Sequence, residues 1–430
     1  MRSLVDLPWN VVEIIFNHAE KDSNFLWRML TGGTDHGPGK RTVIGTLRLV
    51  CRKWADWLYA HYLYRTMVFN DASRAADFIA EINNRSKQLP RARCQTIQIL
   101  GILTHGSAPD PRAQGQPFMI LKKHKKPMTS DILKSLIDLF SDTIVELNLQ
   151  FWNVLSLPTQ VIETIGRIEN LHVLRLGHEL QDTVDMFANN FDDESPPTDM
   201  DPVKSKIDHD CLKSLIQASR NLESLDLTDL DPICLPKATK SDFSDHQIPT
   251  VTQLEISLDG QTASRLLDLS VLLRPTLKVL SLQDRWNWAE DHGSKLVPVF
   301  ENIRERLEGL FLTDDSFLTP INKLEFPKLR VFKTVFWRGS VAELVENPIL
   351  SSSPIEVLAL HSERINSADK KNLRFNPFSS LPMLRRLVIC EARPDYVLSP
   401  AYQDACKSQK VVPAYLSIED SSNVSLIMRL

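Results

Sequence analysis

Glycine is scarce in this 430-residue chain: 14 residues, about 3% where about 7% is ordinary, leave little material for glycine-rich phosphate loops. Neither sign of charge dominates, since 50 Lys and Arg stand against 54 Asp and Glu for a net charge of −4, and that balance argues against a polyanion binder. The six cysteines never come closer than 16 residues to one another, which fits neither a zinc site nor a small disulfide framework and favours a reduced, intracellular chain. No apolar run reaches the roughly 18 residues of a membrane span, and residues 1–9 hold no apolar leader. The N-x-S sequons at Asn84 and Asn423 are therefore expected to stay bare. What is present, 43% apolar and 24% charged residues, is the composition of a soluble globular protein with ample material for a core.

Two amphipathic helices are expected near the start. Asp6 can cap the first and Pro8 can sit in its first turn, with Val11, Val12, Ile15, Phe16 and Ala19 forming one apolar stripe. The second carries Leu47, Val50, Cys51, Trp54 and Leu58 on one side and Arg48, Arg52, Lys53 and Asp56 on the other. So short a segment needs something to pack against, and its stripes fit either the rest of this chain or a partner.

Leu7-Pro8, Val11-Val12 and Ile15-Phe16, followed by Leu47-Arg48-Leu49-Val50-Cys51-Arg52-Lys53-Trp54, resemble an F-box, the adaptor-binding module of cullin–RING ubiquitin ligases. The resemblance implies that Leu7, Pro8, Val11, Val12, Ile15, Phe16, Leu47, Val50, Cys51 and Trp54 build the surface for a Skp-type adaptor. It covers residues 1–65, with an insertion at about 21–45, and departs from the family at Asn10 and Ala19, where Glu and Leu are usual. Within the insertion, Gly39-Lys40 has the ending of a phosphate loop. Thr34 stands where its first Gly belongs and Arg41 where Ser or Thr would hold magnesium, so a plain loop is expected.

Beyond residue 90 apolar residues recur at i, i+3 and i+5: Ile144/Leu147/Leu149, Leu171/Leu174/Leu176, Leu222/Leu225/Leu227, Val251/Leu254/Ile256, Leu277/Leu280/Leu282, Leu307/Leu310/Leu312, Leu329/Phe332/Thr334, Ile355/Leu358/Leu360 and Leu384/Leu387/Ile389. This is the core of a leucine-rich repeat, in which each unit supplies one short strand and one helix or helical turn. Helices are expected between copies, at 131–140, 159–168, 210–218 and 264–273, with residues 94–99 as an irregular first repeat and 414–419 as a last edge strand. The fold class expected is α/β: a short all-helical F-box module, then an irregular leucine-rich-repeat solenoid over 90–430. Loop insertions are expected at about 103–128 and 178–207. The first ends in Lys122-Lys123-His124-Lys125-Lys126, which reads either as a nuclear address or as an exposed charged loop.

Strand alternation turns the i+4 residue away from the buried i+3 and i+5 pair. Asn148, Arg175, Asp226, Glu255, Ser281, Phe311, Lys333, Ala359 and Val388 should therefore form one ladder along the concave face, polar in its first half and mainly apolar in its second. Trp286, Trp288 and Phe336-Trp337, beside Arg285 and Arg338, and Phe151-Trp152 fall just past strands. They read either as a binding rim or as core filling.

No Gly-x-Ser-x-Gly, His-Glu-x-x-His or Gly-x-Gly-x-x-Gly occurs, so neither catalysis, cofactor nor metal is expected. The leading expectation is a non-catalytic target receptor of an SCF-type ubiquitin ligase. It would bind a Skp-type adaptor through the first helices and a target protein through the ladder, Trp286 and Trp337. Nucleic acid and membrane are not expected as partners, and the setting is cytoplasmic, nuclear or both. The alternative is a repeat scaffold unconnected with ubiquitin, its first helices serving as a solenoid cap.

Overall fold

A short extended segment with three apolar residues on one side buries that side only beneath a helix and between like neighbours. The computed structural model, which describes residues 52–61, 63–85, 91–104, 126–152, 155–178, 210–230, 234–235, 250–258, 262–284, 293–368 and 376–430, stacks these segments into a twelve-stranded, all-parallel sheet in strict chain order. The strands are β1 (Thr66–Phe69), β2 (Thr96–Ile102), β3 (Glu146–Phe151), β4 (Val173–His178), β5 (Ser224–Asp229), β6 (Gln253–Leu258), β7 (Val279–Asp284), β8 (Gly309–Asp314), β9 (Val331–Phe336), β10 (Val357–His361), β11 (Arg386–Cys390) and β12 (Val412–Tyr415). All twenty-seven triplet residues are at most 5% exposed, so the leucine pattern marks the core face throughout.

Helices cover that face. α1 (Arg52–His61), α2 (Ala72–Asn84), α3 (Ser130–Phe140), α4 (Thr159–Gly166), α5 (Cys211–Ala218), α6 (Thr262–Leu273) and α7 (Val297–Ile303) come first. The shorter α8 (Val341–Val345), α9 (Pro348–Ser352) and α10 (Ser362–Ala368) follow, with α11 (Pro400–Gln409) before β12. The four helices expected from the sequence thus stand within two residues of their expected starts and ends. Residues 66–85, which carry no leucine triplet, supply β1 and α2 as an additional unit ahead of β2. The last strand lies at 412–415, two residues earlier than its expected start. The 51-residue interval adds no strand, because β4 pairs directly with β5.

A backbone pattern repeats at each step. The N–H groups of Glu308 and Gly309 both donate to the Lys278 carbonyl (2.7 and 3.0 Å), and those of Arg330 and Val331 both donate to the Glu308 carbonyl (3.0 and 3.0 Å). The same fork recurs from Gln95 and Thr96 on Arg65 through to Arg385 and Arg386 on Glu356. Side chains at this position alternate in sign from Lys278 on, with Lys278 beside Glu308 (3.1 Å), Arg330 beside Glu308 (3.8 Å) and Arg385 beside Glu356 (3.9 Å), and His172 lies 3.4 Å from Glu223. Each such exposed pair contributes little, but a slip by one repeat would set like charges side by side. Glu308→Lys, which faces Lys278 and Arg330 at once, is expected to cost about 1 kcal/mol in urea unfolding at low salt. The loss should shrink toward zero at 1 M salt, and one that ignores salt would remove charge from the explanation.

The two ends of the stack differ. At the first, Leu58 and Tyr59 of α1 are buried, and a chain of rings runs from Tyr59 through Tyr64 and Phe78 to Phe140 at centroid spacings of 5.0, 5.7 and 6.3 Å. The Arg85 guanidinium lies 3.1 Å over the Tyr59 ring. At the other end β12 is an exposed edge strand. Val412 N–H donates to Arg385 O and Leu416 N–H to Ile389 O, so these residues face β11 and Pro413 faces outward, where its missing N–H blunts the edge. Gly101 marks the irregularity within β2: its φ is +69°, and a Cβ there would meet the Trp152 ring at 3.0 Å.

Candidate functional site

The ladder forms as the alternation requires. Asn148, Arg175, Asp226, Glu255, Ser281, Phe311, Lys333, Ala359 and Val388 are consecutive register partners across β3 to β11, flanked by Gln98 on β2 and Ala414 on β12. They lie on the face opposite the leucine core. Its two halves have different fates.

From β3 to β6 the face is polar: Arg175 is exposed, Asn148, Asp226 and Glu255 are half-buried, and Gln253 is buried. Arg175 bridges two carboxylates, with Nε donating to Glu146 Oε1 at 2.8 Å and Nη1 to Asp226 Oδ2 at 3.1 Å. Burial opposes the Arg175 charge, but Glu146 and then Asp226 outweigh it and hold the guanidinium above its ordinary pKa. Asp226 Oδ1 accepts from the Thr228 N–H and hydroxyl (3.0 and 2.8 Å). Gln253 Nε2 donates to Glu255 Oε1 at 2.9 Å, and Gln150 Nε2 to Asn148 Oδ1 at 3.0 Å. Burial first, and the neighbouring Asp226 charge second, push the Glu255 carboxyl up to about 7 against the pull of Gln253, Arg175 and Lys333. The face offers a partner paired charges and amide groups fixed in place. Glu146, Gln150, Thr228 and Gln253 belong to it as much as the ladder does, and their i+2 and i+6 positions in the repeat are the signal that marks them.

From β7 to β11 the ladder face is covered by the chain itself, a correction to the reading of one continuous binding surface. Residues 416–430 leave β12 and turn back across the strands as two short helices, α12 (Ile418–Ser421) and α13 (Val424–Arg429). Leu416, Val424 and Ile427 pack with Val279, Phe311, Val331, Val357, Ala359, Val388 and Cys390 into a second apolar cluster, separate from the main core. Lys333 Nζ donates to Ser421 O (2.6 Å), Arg330 Nη2 to Met428 O (3.2 Å) and Ser425 Oγ to Gln253 Oε1 (3.0 Å). Ser281 and Phe311 are consequently buried, and Lys333 is spent on the covering segment. The physical reason lies in the ladder itself, since apolar residues on an otherwise solvated sheet face require a cover.

The aromatic positions divide as well. Trp337 is 3% exposed within the main core, so core filling is its role. Phe336, one residue earlier, is 48% exposed with the Arg364 guanidinium 5.5 Å from its ring. Trp286, Trp288 and Arg285 lie outside the described residues, as do Leu7, Pro8, Val11, Val12, Ile15, Phe16, Leu47, Val50 and Cys51. Trp54 falls in α1. The five described cysteines are buried, and burial pushes the Cys94 thiol up to about 12, far from the range of a reactive thiolate. Among the described residues no group of three His, Cys, Asp or Glu side chains is placed to hold a metal ion.

No protein-family model matches the chain, and no curated protein matches it. Among solved structures, the crystal structure of the Rad7 and Elc1 complex in yeast is similar at a TM-score of 0.34 and 14% sequence identity, over 95% of this chain and 91% of that one.

Proposed function

We propose that this chain is the target-recognition subunit of an SCF-type ubiquitin ligase: an F-box-like helical module that binds a Skp-type adaptor, followed by a leucine-rich-repeat solenoid that holds a target protein. The observation that carries the reading is one of continuity. The Val50-Cys51-Arg52-Lys53-Trp54 motif runs straight into α1, and the far turn of α1 is buried on the first repeat through Leu58 and Tyr59. A helix that begins in that motif and ends in the solenoid core supports the reading, because it would tie a bound adaptor to the repeats. The polar half of the ladder face, Asn148 to Asp226 with the half-buried Glu255 at its border, is the surface available to that target. The chain acts without chemistry of its own. It raises the effective concentration of a target lysine near the charged ubiquitin, while the ligase's other subunits make the bond. Such a receptor works in the cytoplasm, the nucleus or both.

The second reading, a repeat scaffold capped by its first helices, draws on the same burial of Leu58 and Tyr59, because a solenoid end needs a cover. Co-purification separates the two. The full-length chain is expected to retain a Skp-type adaptor, and a Leu7→Glu, Ile15→Glu variant that keeps the parent's cooperative unfolding transition to lose it. A folded full-length chain that retains no adaptor would refute the ligase reading and leave the scaffold.

A further inference from the structure

The segment at 416–430 covers the apolar half of the ladder face without belonging to any strand–helix unit. It runs across the strands, from Leu416 beside β11 to Ser425 against Gln253 on β6. Its grip rests on four buried side chains, Leu416, Ser421, Val424 and Ile427, with Leu426, Met428 and Leu430 packed beside them, while α12 leaves Ile418 69% exposed. Two polar tethers use side chains of the segment, with Glu391 N–H donating to Ser421 Oγ (2.6 Å) and Ser425 Oγ to Gln253 Oε1 (3.0 Å), and two others take only its backbone. Lys333 takes the Ser421 carbonyl at the end of α12, and Arg330 takes the Met428 carbonyl near the end of α13. Cations at those points would accept the carbonyl end of any helix laid there, since the last turn of a helix presents bare C=O groups and a partial negative charge. Beneath them the floor of Val279, Phe311, Val331, Val357 and Val388 is apolar, interrupted by Ser281 and Lys333.

We propose that residues 416–430 are an intramolecular stand-in for a partner's amphipathic helix, and that this floor on β7 to β11 docks such a helix when the segment leaves. The inference deepens the receptor reading, on which it rests for the identity of the partner as a target protein. The chemistry it requires is a helix with apolar residues spaced i, i+3, laid where α13 lies with its carboxyl end toward Arg330. Ser425 hydrogen-bonds Gln253, which in turn donates to Glu255, so a helix seated on the floor abuts the polar half and the two become one surface. The shortness of α13 sets the expected dynamics. A segment of two short helices with no strand pairing past Leu416 opens locally before the strands beneath it.

Two measurements on the full-length chain test this. In hydrogen exchange, the amides of 424–429 are expected to exchange at least 100-fold faster than those of β9; equal protection would overturn the proposal. In a binding titration, a fluorescent peptide of sequence 416–430 is the probe. A full-length Val424→Asp, Ile427→Asp variant, whose own segment is driven off the floor, is expected to bind it at least tenfold more tightly than the parent, and adding Phe311→Asp should abolish the gain. Equal binding by parent and variant, or a gain that survives Phe311→Asp, would overturn the proposal. Should the variant lose its cooperative unfolding transition, exchange on the parent decides alone. Neither readout involves the adaptor, so failure here and failure of the ligase reading are seen separately.

Discussion

Phe332→Ala is expected to lower the unfolding free energy by about 3–5 kcal/mol, the range for emptying a fully buried aromatic site. Phe332 is 0% exposed in the middle of β9, with Leu310 and Leu358 as its register partners on either side. Both neighbours are held by ladders of their own, and the forked hydrogen bonds of Arg330 and Val331 to Glu308 pin the strand's entry. The sheet therefore has little freedom to collapse into the space, which is the condition under which a cavity costs most. Phe336→Ala on the same strand supplies the control. That ring is 48% exposed, and its loss should stay within about 0.5 kcal/mol. Urea unfolding of the two variants side by side measures the difference; similar losses would mean that burial is not what sets the cost, since both rings have the same strand parity and Phe336 is exposed only because it stands at the end of β9.

Glu255→Gln is expected to stabilise the protein at pH 8 and to flatten its pH dependence. The Glu255 carboxyl is raised from 4.5 to about 7 in the folded chain, by burial first and by Asp226 second. Between those values the unfolded chain releases the proton while the folded chain keeps it, so stability falls as pH rises from about 4.5 to about 7 and levels off above. At about 1.36 kcal/mol per unit, the penalty at pH 8 reaches at most about 3 kcal/mol. Glutamine keeps an oxygen for the Gln253 amide and has no proton to lose. Urea midpoints of the parent and of Glu255→Gln at pH 4 and pH 8 give the answer: they should lie closest at pH 4 and separate at pH 8 in favour of the variant. A variant less stable at pH 8 would show that the charged carboxylate is an asset to the fold.

Much of this architecture was written into the leucines. Nine triplets marked β3 to β11, and period-two alternation from those triplets named every ladder residue, because one parallel register carried through the whole sheet leaves the i+4 position no other place to go. Where the triplet is missing the reading stops: Thr66-Met67-Val68-Phe69 has no leucine spacing, yet it pairs with β2 residue for residue. Ubiquitous tertiary pairing overrides a weak local pattern there. The change from polar to apolar along the ladder was visible, but its cause was not. Four- and six-residue helices such as α12 and α13 are too short to show a period, and only the bareness of Phe311, Ala359 and Val388 hinted that something must lie over them. The alternating charges of Lys278, Glu308, Arg330, Glu356 and Arg385 were equally visible at i+1, and they acquire meaning only once the strands are known to be neighbours.

The covering segment also sets an order of events in biosynthesis. Each strand bonds only to the strand made just before it, so the repeats can assemble one after another as they emerge, on timescales short against translation. The cover for β7 to β11 is translated after all of them, and at 5–20 residues per second the stretch from the end of β11 to the end of α13 takes about 2–8 s. For that interval a strip of valine and phenylalanine stands bare on an otherwise folded chain. This is the moment at which a nascent-chain chaperone, or the helix of a partner already present, would reach it first.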